Sequence, residues 1–476
     1  MIYDVIVIGA GPGGYHAALR AAKGGLSTLL VEKRAIGGVC LNEGCVPTKT
    51  LLYSAKLYDN ILSGEKYGVV AEKVTFDHAA VIRRKNKTVR ILTTGVKTAL
   101  KDAGVVCLTG DASLRKNGDD IEVVVSGAGS AGGAGGAGGT GDSAGAPGGE
   151  AYKAKNIIIA TGSSSIVPGI KGVKEAYASG FLLTSREVLN IPEIPASLAV
   201  IGGGVIGLEM AYYFACAGSK VFVADMLPKI GGPLDDELAE ILLGELSKKG
   251  ITFALSARIT EVTENSVIYE QDGERKETFA DKVLLSVGRA ANTAGLGLDE
   301  AGILYDRSGI ITNEACETNI KGVYAVGDVN GKVLLAHTAY READVCVNKI
   351  LGIDDKVDYA NIPSVIYAIP ETASTGETEQ SAAAKGYEFD AIKLSMRQSG
   401  RFIAENEGAN GTCKVLVEKG TGRVLGAHMI GNLSSEIIFG ASMMIQREMT
   451  AADIEKVVFP HPTVGEALRE AIIAAL

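Results

Sequence analysis

One short pattern occurs twice, far apart in the chain, and it constrains the fold more than any other feature. Residues 3–8 (Tyr-Asp-Val-Ile-Val-Ile) read as a buried strand, and Gly9-Ala-Gly-Pro-Gly-Gly14 follows at once. An alanine-rich run over 15–22 has helical character and stops at Gly24-Gly25, before a strand over 28–31 that ends on Glu32. The second copy has a strand at 198–201, the loop Gly202-Gly-Gly-Val-Ile-Gly207, a helix over 208–217, a strand over 220–224 and the acid Asp225. First glycine and terminal acid are 23 positions apart in both copies. A lone Gly-x-Gly-x-x-Gly has little weight. Joined to a strand, a helix and a closing acid, it is the full context of a dinucleotide site. In such a unit Gly9 permits the turn, Gly11 lets backbone amides approach a pyrophosphate at the helix N-terminus, and Gly14 allows close helix–strand contact. Gly202, Gly204 and Gly207 take the same parts in the second unit. A tight turn without a ligand is the plain alternative for either loop, and the repeat at one spacing speaks against it. The chain is expected to bind two dinucleotides.

Between the copies lies Gly37-Gly-Val-Cys-Leu-Asn-Glu-Gly-Cys-Val-Pro-Thr-Lys-Thr-Leu-Leu52, with Cys40 and Cys45 separated by four residues. Pro47 suits the first turn of a helix, where its missing amide costs nothing. Cys45 would then lie just before a helix N-terminus, where the dipole favours a thiolate. A zinc site needs a further close pair of Cys or His ligands, and the chain offers none. Cys107, Cys216, Cys316, Cys346 and Cys413 stand alone in apolar or helical contexts and read as ordinary buried thiols. A structural disulfide is the bland alternative. Without a secretory signal the chain belongs in a reducing compartment, where persistent disulfides are usually catalytic, so Cys40 and Cys45 are expected to be a redox pair.

At 476 residues the chain has room for about three or four domains. It is 46% hydrophobic and has no Trp, so an aliphatic core is expected, which suits a parallel α/β protein. A net charge of -9 argues against nucleic acid or an anionic membrane as a partner. The one dense basic run, Arg83-Arg-Lys-Asn-Lys-Thr-Val-Arg90, reads as a solvated helix face. No apolar run approaches the ~20 residues of a membrane helix, and the N-terminus enters a strand without a basic signal region. A soluble, cytoplasmic protein is expected. Residues 126–149 are nearly all Gly, Ala and Ser and cannot build a core. They read as a flexible insertion at a loop tip, spanning roughly 25–30 Å on average, and as tolerated rather than functional.

The cysteine segment closely resembles the active-site segment of the flavin-dependent pyridine nucleotide–disulfide oxidoreductases. Its Cys-Leu-Asn-x-Gly-Cys-Val-Pro-Thr-Lys flanks are similar to those of the dihydrolipoamide-oxidising members rather than of the glutathione reductases. The resemblance covers nearly the whole chain apart from 126–149, with the motifs in family order. It implies two Rossmann-like FAD and NAD domains plus a central domain and an α+β C-terminal dimerisation domain. The boundaries expected are 1–166 (FAD, carrying the insertion 126–149), 167–286 (NAD), 287–351 (central, completing the FAD site) and 352–476 (interface).

By the same resemblance FAD sits at the first loop. Gly9, Gly11, Gly14, Glu32 and Lys49 would hold it, with Gly110 near the adenine side. Thr161, Gly162 and Ser163 would join them from the run Lys155-Asn-Ile-Ile-Ile-Ala-Thr-Gly-Ser163, and Asp328, at the end of Gly322-Val-Tyr-Ala-Val-Gly-Asp328, would bind ribityl hydroxyls. Leu334, Leu335, Ala336 and His337 would open a helix facing the flavin ring. His337 taken alone reads as a packed histidine. NAD would lie at Gly202, Gly204, Gly207, Glu209, Asp225 and Gly288. Asp225 favours NAD because a carboxylate binds a free 2′-hydroxyl and repels a 2′-phosphate, and Lys229 is a single point charge nearby. Where the family has Arg-Arg-Pro-Asn-Thr this chain has Arg289-Ala-Ala-Asn-Thr293, which keeps the loop and alters its stiffness.

Thiol–disulfide exchange needs a group that takes and returns a proton near neutrality, and histidine is suited to it. His461-Pro-Thr-Val-Gly-Glu466 matches the family's base and orienting carboxylate, although Thr463-Val-Gly-Glu466 is also a capping box. Lys49 and Glu209 match an ion pair beside the reactive edge of the flavin. The implied mechanism has Cys40 exchange with lipoamide sulfur, Cys45 lie against the flavin, and a hydride pass to NAD. It also implies a homodimer, because the partner subunit's His461 serves the cysteines, and as protein partner the lipoyl domain of a 2-oxoacid dehydrogenase or glycine cleavage complex. No metal is implied. Alternatives are a glutathione-type reductase, disfavoured by Asp225 and the cysteine flanks, a mercuric reductase, lacking its C-terminal cysteine pair, and a non-catalytic assembly subunit, disfavoured by intact Cys40, Cys45 and His461.

Overall fold

The structure, a computed structural model, describes residues 2–118, 120–130 and 149–476. Two compact units emerge, one from Met1–Pro47, Lys85–Ile166 and Arg289–Asp358, the other from Thr48–Arg84, Val167–Gly288 and Tyr359–Leu476.

In the first unit the strand Ile2–Ile8 is buried along its second half, and a strand covered on both faces must be a continuous apolar run. It lies parallel to Thr28–Glu32 on one side and to Glu150–Ile159 on the other. Val106–Asn117 adds parallel to Thr28–Glu32, and Val323–Ala325 adds parallel to Glu150–Ile159. Ile6, Ile8, Leu29, Val31, Ile157 and Ile159 form the aliphatic heart of this unit. Beyond the parallel part, Val106–Asn117, Asp120–Ser130 and Glu150–Ile159 form an antiparallel meander. These strands run past the expected 105–108 and 121–125. The cause is two-residue periodicity: Ala112, Leu114, Val123 and Val125 are buried in facing register while their neighbours point away. Residues 126–130, expected to be loop, therefore belong to the strand. Of the rest of the expected insertion 126–149, Gly149 is described and residues 131–148 lie outside the described residues.

The second unit holds a parallel sheet of Thr252–Ala254, Lys220–Ala224, Ser197–Ile201, Lys282–Leu285 and Leu182–Leu183, in that order. The helix Val205–Cys216 is buried almost all round, and Tyr212, Tyr213 and Phe214 are wholly inside. Three aromatic rings thus stand side by side in this core, which is less purely aliphatic than composition implies. A separate antiparallel sheet of Ser364–Ile366, Thr372–Gly376, Val424–Ile430, Thr412–Glu418 and Phe389–Ser395 carries the C-terminal helices.

Three local findings bear on the expectations. The basic run is a helix face within His78–Asp102, but Lys85 is buried, and burial lowers its pKa. Burial pushes the Cys413 thiol up to about 12 and the Cys216 thiol to about 11, which keeps both protonated at neutral pH. Lys414, almost fully buried, sits 3.0 Å from the buried Asp235 carboxylate and also touches Glu379. Removing one member of such a pair strands a buried charge, so Lys414→Met should destabilise the second unit by about 3–5 kcal/mol, as read by denaturant unfolding. Among the described residues no helix is long and apolar enough to cross a membrane, and no cluster of His, Cys, Asp and Glu has metal-site geometry.

Candidate active site

The two glycine loops reproduce each other bond for bond. The Gly9 N–H donates to Val31 at 2.8 Å and the Gly202 N–H to Ala224 at 2.8 Å. One position on, the Ala10 N–H donates to the Glu32 carboxylate at 2.7 Å, and the Gly203 N–H to the Asp225 carboxylate at 2.6 Å. Gly9 and Gly202 both have left-handed φ, +98° and +105°. A Cβ on Gly14 would lie 1.8 Å from the Gly9 carbonyl oxygen, and one on Gly207 2.0 Å from that of Gly202. These glycines let helix and strand close together. At Gly11 and Gly204 the space is open: a Cβ would meet only Gly38 Cα at 4.0 Å in the first case and nothing within 4 Å in the second. The helices that start there, Pro12–Lys23 and Val205–Cys216, have no side-chain cap. Uncapped N–H donors beside an open glycine position fit a pyrophosphate at each loop. Glu32 and Asp225 each spend one contact on the loop and a second on Arg34 or Leu227. An ionised carboxylate accepts about four hydrogen bonds, so each retains capacity for ribose hydroxyls.

The cysteine segment is fastened to the first of these loops. The Gly37 N–H donates to the Ala10 carbonyl at 2.8 Å, and a Cβ on Gly38 would lie 2.5 Å from Gly11 Cα. Cys40 sits in a six-residue helix, Gly38–Glu43, which the sequence did not suggest, and Asn42 braces it through the Gly38 carbonyl at 2.8 Å. Cys45 is the first residue of the helix Cys45–Leu62, with Pro47 in its first turn. The exposed Cys45 and half-buried Cys40 therefore stand at a helix N-terminus and one short turn before it. The dipole of a helix N-terminus favours a thiolate there.

Other expected flavin contacts form one network in the same unit. Ser163 Oγ donates to the Asp328 carboxylate at 2.5 Å, and Arg289 Nε donates to Ser163 Oγ at 2.8 Å. Asn292 ties the loop down by donating to the Thr161 carbonyl at 2.9 Å and to the Gly162 carbonyl at 2.9 Å. The loop that lost its proline is thus held by hydrogen bonds. Gly110 lies at a register break between Thr109 and Asp111, one residue beyond the partner of Glu32 across the sheet. Leu334 and Leu335 precede the helix Ala336–Ile350, and Ala336 and His337 are its first two residues. His337 is exposed, while the next two residues, Thr338 and Ala339, are buried.

In the second unit Lys49 Nζ contacts both oxygens of the buried Glu209 carboxylate, at 2.9 and 2.8 Å. The Tyr367 N–H donates to the same carboxylate at 3.0 Å, and the ammonium lies 4.5 Å from the Tyr367 ring centre. A buried carboxylate with a cation and a backbone donor is fully compensated. Lys229 is occupied by Asp236 at 2.5 Å and the Leu234 carbonyl at 2.6 Å. The Asp236 carboxylate thus neutralises much of its charge. Gly288 has φ +116°, a conformation that favours glycine.

His461 Nδ1 and Glu466 Oε1 are 2.8 Å apart, and Glu466 Oε2 accepts from the Thr463 N–H at 2.8 Å. The Thr463 hydroxyl turns instead to the Pro460 carbonyl, and the helix Glu466–Ile473 begins at Glu466 itself. The reciprocal capping box therefore does not form. The Thr463 N–H, then His461, holds the Glu466 carboxyl below its ordinary range.

Sequence reasoning missed Tyr367 and the pair Tyr15 and Tyr340, whose hydroxyls touch in the first unit. Burial raises both phenol pKa values, and the charges of Cys40 and Cys45 raise them further, so the pair lies within electrostatic reach of both sulfurs. Tyr15 adjoins Gly14 in sequence, which was the one available signal. A cavity of about 630 Å³ lined by Ser113, Arg115, Asp299, Glu300 and Tyr305, also in the first unit, contains none of the expected residues.

Paired nucleotide loops with a dithiol segment bonded to one of them define a nucleotide-linked disulfide oxidoreductase. The chain belongs to the pyridine nucleotide-disulphide oxidoreductases: residues 3–343 match that family, and residues 362–472 match its dimerisation domain. A dihydrolipoyl dehydrogenase of Chlorobaculum tepidum is 37% identical over 485 residues, covering 100% of this chain and 97% of that one. Another, of Geobacillus stearothermophilus, is 37% identical over 479 residues, covering 99% and 96%. Among solved structures, the HOCl-induced flavoprotein disulfide reductase RclA from Escherichia coli matches with a TM-score of 0.82 at 25% identity, covering 99% of each chain.

Proposed function

We propose that this chain catalyses the dihydrolipoyl dehydrogenase reaction, oxidising a dihydrolipoyl dithiol to its cyclic disulfide and reducing NAD to NADH. One observation supports the reading most: the cysteine segment is bonded into the first nucleotide loop through Gly37 and Ala10. Full-length relatives of that name add to it. FAD, when bound at this loop, supplies a two-electron carrier between sulfur and nicotinamide. Gly9, Gly11, Gly14, Glu32 and Asp328 hold it, and Gly202, Gly204, Gly207 and Asp225 hold NAD.

In the exchange, a substrate thiolate attacks the Cys40 sulfur of a Cys40–Cys45 disulfide, and Cys45 leaves as a thiolate. The second substrate thiol then displaces Cys40 and closes the oxidised substrate. Two electrons reside on the cysteine pair at that point. His461 takes the substrate proton, with Glu466 orienting the ring. Cys45 stands at a helix N-terminus suited to hold a thiolate, and Lys49, one turn further along that helix, is tied to the Glu209 carboxylate. The assignment of Cys40 to substrate and Cys45 to flavin rests on family resemblance.

The functional unit in this reading is a homodimer. Phe439 and Met443, exposed on the helix Ser434–Gln446, and the highly exposed Val458 give the dimerisation region apolar surface for a second copy. The protein partner is a lipoyl domain, and the compartment is the cytoplasm. Steady-state assays with dihydrolipoamide or glutathione, each with NAD and NADP, test the reading. Turnover is expected with dihydrolipoamide and NAD, with a preference over NADP of roughly 100-fold, because a 2′-phosphate against Asp225 is a like-charge contact. Faster reaction of NADPH with glutathione disulfide would reject it.

A further inference from the structure

Glu342 is a fully buried acid in the helix Ala336–Ile350 and belongs to none of the machinery described above. Its Oε2 accepts the Gly327 N–H at 2.5 Å, and its Oε1 accepts from the Asn330 side-chain amide at 2.8 Å. Those two residues are the ends of the short turn Gly327–Asn330, and Asp328 stands between them. Gly327 and Gly331 bracket the turn with left-handed φ, +75° and +69°, and backbone bonds from the Gly331 N–H to Asp328 at 3.1 Å and from the Ile310 N–H to Val329 at 2.8 Å hold its middle. Asn330 is in turn engaged by the Lys332 N–H, which donates to its side-chain oxygen at 3.0 Å. That bond orients the amide so that its nitrogen faces Glu342. On the other side, Asp328 receives the Ser163 hydroxyl.

A carboxylate in the protein interior costs much unless its oxygens accept good hydrogen bonds. Here both oxygens accept from one four-residue turn, and that turn presents a single half-buried acid, Asp328. We infer that Glu342 is a positioning residue for the flavin site: it clamps both ends of the Gly327–Asn330 turn and so fixes Asp328 for the ribityl hydroxyls. This rests on the flavin reading of the first unit.

Glu342→Gln keeps the size but replaces one acceptor by an NH2 group, which faces either the Gly327 N–H or the Asn330 amide donor. Loss of a charge-assisted hydrogen bond of this kind predicts FAD release about 10- to 100-fold faster from the holoenzyme. Release is read by the recovery of free-flavin fluorescence, and the bound-flavin absorption band should shift with it. Asp328→Asn should weaken retention as well, and the double variant should release FAD no faster than the faster single variant. Asn330→Ala, which strips one contact from the turn side, should show the same signature in smaller measure should the Gln variant fold poorly. NADH binding at the second loop reports that the fold is intact. Unchanged release in Glu342→Gln and Asn330→Ala, or fully additive effects with Asp328→Asn, would overturn the assignment. Wild-type protein that carries no flavin at all would sink the underlying flavin reading instead.

Discussion

Cys45→Ser should lower dihydrolipoamide turnover to below roughly 0.1% of the wild-type value, while the protein keeps its FAD. The loss is chemical rather than graded. With one sulfur gone, no intramolecular disulfide can form, and an attacking substrate thiolate has no leaving group within the chain. Retention of flavin follows from where the contacts lie. The nucleotide loop closes through Gly9, Gly14 and the Glu32 carboxylate, and Asp328 is held by Ser163. The Cys45 side chain takes no part in these bonds, and the segment docks on the loop through the Gly37 backbone. Flavin absorbance of the purified variant beside a dihydrolipoamide–NAD assay gives both readouts. A Cys45→Ser protein that lost its flavin would recast the cysteine as structural.

The parts of this site visible in the sequence are those in which chemistry and backbone geometry are local. Each glycine loop is written within about two dozen residues, because turn, helix start and closing acid must follow one another directly. Pro47 similarly marks the first turn of the helix that begins at Cys45. The helix around Cys40 was hidden for the opposite reason. It is six residues long and flanked by Gly37 and Gly44, and such a stretch reads as a turn. Thr463-Val-Gly-Glu466 has capping-box spacing, yet Gly465 takes the N-cap position and the carboxylate is claimed by His461 and the Thr463 amide. Spacing alone cannot tell which donor reaches an acid first.

Partnerships across long sequence distance were legible only through family resemblance or not at all. Lys49 and Glu209 are separated by 160 positions, and Tyr367, a further 158 from Glu209, gave no signal of its own. Residues 289–358 join the first unit because the three-residue strand Val323–Ala325 pairs with Glu150–Ile159. A run that short carries little pattern, and its place in the sheet is decided by packing. Glu342 was overlooked because an acid in a helical stretch is ordinarily a solvated one.

Replacing His461 by Gln is expected to cost roughly 10²- to 10⁴-fold in dihydrolipoamide turnover, the usual range for a lost general base. Glu466→Gln should cost less, about 10- to 100-fold on that same scale. The difference follows from the geometry. Against an ionised carboxylate, His461 Nδ1 must be the protonated nitrogen, which leaves Nε2 as the acceptor that can take a proton. Glutamine offers one acceptor where glutamate offers two. It can serve His461 or the Thr463 N–H, but not both, so the ring keeps its function while losing part of its orientation. Glu466 adds a pH dependence of its own only on the acid side. The Glu466 carboxyl is held below its ordinary range, so its grip on His461 is complete above that range and is lost only as pH falls through the depressed value. Glu466 therefore contributes no ionisation to the rate profile near neutrality. Stability should scarcely change in His461→Gln. The side chain is 77% exposed, and substitutions at such positions usually stay within about 0.5 kcal/mol. A His461→Gln enzyme with wild-type turnover across the neutral range would remove the proton carrier from the mechanism and leave its place to another group.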